Sequence, residues 1–174
     1  MKSLRGFTLT ELFLVIALVG FMSSVVFISF SRQRNETALR SAAREVASAV
    51  RAAQGSALSG VKKGIPVADS NRLLCSIEIG SNGSSQYRTR VHYENGGDGV
   101  CPNPPAEESV SDQESFSLPN GISFASDWSV FFRIPRAEVS SGAATNIVLS
   151  RNGSSTSVCI LSSGAVLENS GSCP

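Results

Sequence analysis

Residues 39–58 read LRSAAREVASAVRAAQGSAL. Their small and apolar members, Leu39, Ala42, Ala43, Val46, Ala49, Val50, Ala53, Ala57 and Leu58, recur at steps of three and four, so on a helix they form one stripe. Arg40, Arg44, Ser48 and Arg51 lie off it. A helix with an alanine-rich stripe and a basic back needs a surface to lie on, since most helical stability comes from packing of the apolar face. A coiled coil is the weaker reading, because the stripe lasts only about three heptads. The basic face of Arg40, Arg44 and Arg51 suits solvent or the acids of a neighbour. No proline occurs before Pro66, and Gly55, Gly60 and Gly64 mark the fraying end.

Upstream, Phe7 to Ser31 is a run of 25 residues whose only charge is Glu11. As a helix it would reach about 37 Å, against a bilayer core of roughly 30 Å. A cleaved signal peptide has a shorter apolar region of about 7–15 residues, although Ser29-Phe30-Ser31 has a small-x-small pattern. A simple anchor explains the length but not the acid, which costs about 2.5–3.5 kcal/mol at the centre of a span. Lys2 and Arg5 precede the run and Arg32, Arg34 and Arg40 follow it, so flanking charge does not orient it. Continued to Leu58, a helix from Phe7 would hold 52 residues and extend about 78 Å.

Downstream of Pro66 the period becomes two. Leu73, Cys75, Ile77 and Ile79 alternate with Ser76 and Glu78, with Leu74 as the exception. Asn82-Gly83 is a hairpin turn signal, and Tyr87, Thr89, Val91 and Tyr93 then alternate with Arg88, Arg90 and His92, which read as the wet face. Asn95 to Glu114 is rich in glycine and proline and reads as a surface loop. Short strands are expected around 116–118, 122–125, 129–133, 146–150, 156–161 and 166–168, with turns at Asn120-Gly121 and Asn152-Gly153. A long helix followed by antiparallel strands is α+β.

The four cysteines, Cys75, Cys101, Cys159 and Cys173, include no C-x-x-C pair, and His92 is the one histidine. No metal site is expected from that set; two disulfides are. Three pairings are open, with sequence neighbours, Cys75–Cys101 and Cys159–Cys173, placed first. Each closed loop would stabilise by roughly 3 kcal/mol. Catalytic residues and cofactors are not expected either. G-x-S-x-G, Walker and G-x-G-x-x-G patterns are absent, Glu107 and Glu108 read as solvated, and Trp128 with its neighbouring phenylalanines reads as core. Asn35, Asn82 and Asn152 begin formal glycosylation sequons.

The stretch Arg5-Gly6-Phe7-Thr8-Leu9-Thr10-Glu11-Leu12 resembles the class III signal of type IV pilins and pseudopilins. The resemblance implies cleavage by a prepilin peptidase between Gly6 and Phe7, N-methylation of Phe7, and an assembly role for Glu11. Thr10 stands where the family's commonest form has isoleucine. Gly20 matches a common pilin glycine, and the helix proline of many pilins is absent. Cleavage would expose an ammonium whose charge methylation keeps. Glu11 facing that amine on a neighbour would set register, because an unpaired buried charge is strongly destabilising. The phrases SLPNGISFASDWSVFFRIPRA, 117–137, and TNIVLSRNGSSTSVCILSSGAV, 145–166, are similar to GspH/FimT-type minor pilins and pseudopilins.

The expected layout is therefore a leader, 1–6; a transmembrane half-helix, 7–31; an amphipathic half, 32–60; and an antiparallel β domain, 61–174, on which the helix packs. The resemblance implies a non-enzymatic subunit of a type IV pilus or type II secretion filament. It would sit as a single-pass protein in the inner membrane, its distal domain in the periplasm or outside, before assembly into the filament. Its partners would be other pilin or pseudopilin subunits, the prepilin peptidase, an inner-membrane assembly platform and membrane lipid. The alternatives are a major pilin, or a minor pilin that binds DNA through Arg88, Arg90, Arg133, Arg136 and Arg151. Residues 64–174 hold six basic against eleven acidic side chains, which does not favour nucleic acid.

Overall fold

The computed structural model describes residues 8–60, 73–93, 101, 110–119, 121–140, 142–169 and 173, with backbone alone at 24–32, 110–113 and 169. Helix α1 is Leu9–Ser59. Among the described residues nine strands follow: β1 (Leu74–Ser81), β2 (Gln86–Tyr93), β3 (Val110–Ser117), β4 (Ser123–Phe124), β5 (Ser129–Arg133), β6 (Glu138–Val139), β7 (Thr145–Arg151), β8 (Ser154–Ile160) and β9 (Val166–Asn169). The chain divides into two units, Met1–Thr37 and Ala38–Pro174.

In the second unit the strands make two antiparallel sheets. One has the order β3-β2-β1-β5-β6 and the other β4-β7-β8-β9. Register fixes which side chains share a face. Ile77 lies opposite Val91 and Phe132, and Ile79 opposite Thr89 and Val130. These positions and Tyr87 turn to the core, while Ser76, Glu78, Arg88, Arg90, His92, Phe131 and Arg133 take the alternate face. In the second sheet Ile147 pairs with Val158. Asn152 and Gly153, both at positive φ, close the β7–β8 hairpin as a primed turn.

The helical part of this unit supplies the third component of the core. Leu39, Ala42, Ala43, Val46, Ala47, Val50, Ala53 and Ala57 are buried in one cluster with Ile77, Ile79, Tyr87, Val130 and Phe132 of the first sheet and Ile147, Leu149, Val158 and Ile160 of the second. The expected stripe is recovered with two changes: Ala47 joins it, and Leu58 is 57% exposed. Arg44 reaches Glu168 at 3.5 Å, and Arg51 donates to the Val166 carbonyl at 3.1 Å. At the foot of the stripe Gly164, φ +84°, lies so close to Gln54 that an added Cβ would fall 2.5 Å from its Nε2. Both disulfides join sequence neighbours, Cys75 to Cys101 and Cys159 to Cys173. Cys75 is the extra residue where the β1–β2 register shifts between Leu74 and Ser76.

Two expectations are corrected. The first is one long helix, transmembrane and then amphipathic, laid on the β domain. Side chains of α1 are described only in two stretches, 9–23 and 33–59, and helical residues join the β-domain core only from Ala38 onward. Among the described residues no helix is long and apolar enough to cross a membrane. With that the second expectation, a single-pass place in the inner membrane, is overturned as well. The sequence also missed strand β3 before residue 116 and the two-residue β6.

Because Ala42 is fully buried, Ala42→Leu should destabilise the chain by about 1–3 kcal/mol through overpacking. Arg40→Leu, on the exposed back of the helix, should stay within about 0.5 kcal/mol of the parent in urea unfolding.

Candidate functional site

In the first unit, Thr8 stands just before the helix. The Glu11 N–H donates to the Thr8 carbonyl at 3.1 Å and lies 3.4 Å from Thr8 Oγ1. Thr8-x-x-Glu11 is the capping-box spacing, and an acid in the first helical turn is favoured by the helix dipole. The sequence carries this signal in the spacing of Thr8 and Glu11. The next turns are apolar on every side. From Leu9 to Met22 the large hydrophobic side chains are 46–72% exposed. Such a surface marks an interaction site in a folded protein. Gly6 and Phe7, the expected cleavage and methylation residues, lie outside the described residues.

The candidate basic set does not form one patch. Arg88, Arg90 and Arg133 share the outer face of the first sheet, but Glu78 sits among them and meets Arg90 at 3.8 Å. The Arg133 Nε–H donates to Ser140 Oγ at 3.3 Å. Arg136 lies 3.9 Å from Glu138 across an exposed pair. Arg151 belongs to the other sheet, and its buried Nε has no hydrogen-bond partner among the described residues.

His92 departs from its expected surface position. It is 3% exposed, its Nε2 lies 2.9 Å from Glu78 Oε2, and its ring packs 5.4 Å from that of Phe131. Alternation correctly named the face; it carries no information about whether that face is covered. Ser76, directly opposite His92, completes a serine, histidine and carboxylate grouping. The geometry is not that of an activated nucleophile. Among the described residues Ser76 Oγ has no hydrogen-bond partner, and at 3% exposure it offers a substrate no approach.

Tyr87 stacks on Phe116 at 5.0 Å and meets Phe124 edge-on at 6.2 Å. Its hydroxyl is buried beside Glu45. Burial first, and then the charge of nearby Glu45, push its pKa from 10.0 up to about 12. The folded chain then keeps a proton that the unfolded chain loses. Tyr87 therefore adds stability that is present below pH 10 and is lost as the pH rises toward 12.

The comparisons with known proteins find no matching family model, no matching curated protein and no matching solved structure.

Tyr87→Phe should lose less stability than the parent between pH 10 and 12. Paired urea titrations at neutral and alkaline pH measure the difference.

Proposed function

We propose that the chain is a pilin-like subunit, of the minor pilin or pseudopilin kind, that joins a filament through its N-terminal helical segment. The carrying observation is the exposed apolar stretch from Leu9 to Met22, with the lone acid Glu11 at its start. It lies directly behind the Gly6-Phe7 junction that resembles a prepilin cleavage site. Such a surface suits burial against copies of itself or related subunits. Cleavage and methylation at Phe7 would supply the cation that Glu11 meets on a neighbour. The capping geometry is compatible with this role, since it engages the Glu11 backbone N–H. Within this reading the partners are other pilin or pseudopilin subunits and the peptidase that processes the chain. The acid among Arg88, Arg90 and Arg133 speaks against a DNA-capturing variant.

Leaving the partner amine unpaired in a buried interface costs about 3–5 kcal/mol. Glu11→Val should therefore be cleaved normally yet fall at least about tenfold in the sedimentable filament fraction of producing cells. Glu11→Asp should retain part of the incorporation. Equal incorporation of Glu11→Val and parent would remove the basis of the proposal.

A further inference from the structure

At one end of the first sheet the β1–β2 turn and the entry to β5 border a shallow, open cavity of about 430 Å³, lined by Ser81, Asn82, Gly83, Asp127, Trp128 and Ser129. That volume is in the range of small-molecule sites. Its two walls are tied together. The Ser81 N–H donates to the Trp128 carbonyl at 2.8 Å, and the Trp128 N–H donates to Ser81 Oγ at 3.0 Å. The same hydroxyl lies 3.3 Å from Asp127 Oδ1. Beneath them Gly80 lets β1 approach β5. A Cβ there would come within 2.8 Å of the Trp128 carbonyl oxygen and 3.0 Å of Ser129 Cβ. The walls are thus set before any ligand arrives, which lowers the ordering cost of binding.

The lining selects a chemical class. Among the described residues its one formal charge is the Asp127 carboxylate, and no Lys or Arg lines it. An anion such as phosphate would meet repulsion and no compensating cation. Among the described residues no group of three or more His, Cys, Asp and Glu could hold a metal ion. An apolar ligand would cover the exposed Asp127 carboxylate and Asn82 amide without offering them hydrogen bonds. These groups are the ones that pair with a ligand bearing several neutral hydroxyls. A carboxylate accepts from two donors, an amide both donates and accepts, and serine hydroxyls rotate to suit. Asp127 and Asn82 are exposed, while Trp128, whose ring packs on Phe124, is 8% exposed. We propose that this cavity binds a neutral saccharide, with Asp127 as the principal hydroxyl acceptor and Asn82 and Ser129 as secondary partners. The inference concerns Ala38–Pro174 alone and does not depend on the filament reading.

Trp128 is the sole tryptophan of the chain, so its emission reports on the cavity directly. The full chain, kept in a zwitterionic detergent without sugar headgroups, is titrated with glucose, galactose, mannose, N-acetylglucosamine and N-acetylgalactosamine, and with inorganic phosphate. At least one saccharide should change the emission saturably, and phosphate should not. Asp127→Asn keeps an oxygen for Ser81 and should unfold at the parent's denaturant midpoint while binding that saccharide about tenfold more weakly. Ser155→Ala, in the β7–β8 hairpin, should bind as the parent does. Should Asp127→Asn shift the midpoint, Ser129→Ala gives a second reading of the same cavity and should also weaken binding. No saturable response to any of these sugars, a response unchanged in Asp127→Asn and Ser129→Ala, or binding of phosphate in preference to them would overturn the inference.

Discussion

The distal domain depends on one fit: small side chains on a helix against large ones on two sheets. Along α1 the buried residues are mostly alanine and valine, and across from them stand Tyr87, Phe132, Ile77, Ile79, Ile147 and Leu149. Alanine loses no rotamer freedom on burial and lets the helix backbone come close to the strands. The bulk that fills the space is carried by β-branched and aromatic residues, which suit a pleated surface. Neither half of this arrangement is stable alone. The helix has little intrinsic reason to persist in water, and each sheet would expose its apolar face.

That fit also explains what was legible beforehand. Helical periodicity named the buried stripe, and period-two alternation with Asn-Gly turns named the hairpins β1–β2 and β7–β8. The buried arc proved wider than the stripe, taking in Ala47, because side chains of both sheets cluster around this segment. Leu58 fell outside it at the helix end. Strand β3 was missed because Val110–Ser117 lacks apolar alternation; it is an edge strand held by its ladder to β2. His92 was misplaced because its burial depends on what covers the outer face of the sheet. The cavity beside Asp127 was invisible for a related reason, since a hydrogen-bonded link between residues 81 and 128 leaves no periodic trace.

Glu11 shows how one residue can satisfy two demands. Locally its position is ordinary for a helix start, with Thr8 three residues before it and the dipole favouring an anion. That does not account for the apolar surface around it, exposed from Leu9 to Met22. A capping acid needs no such neighbours, and an apolar helix needs no acid. The two together fit a surface that is covered by other copies and aligned by charge.

The most direct test of that pairing is the mass of the N-terminal peptide of the protein isolated from its native cells. If Glu11 is kept to meet a neighbour's freshly made terminus, that peptide begins at Phe7 and carries one added methyl group on its amine. A native chain that begins at Met1, or only after Ser31, contradicts it.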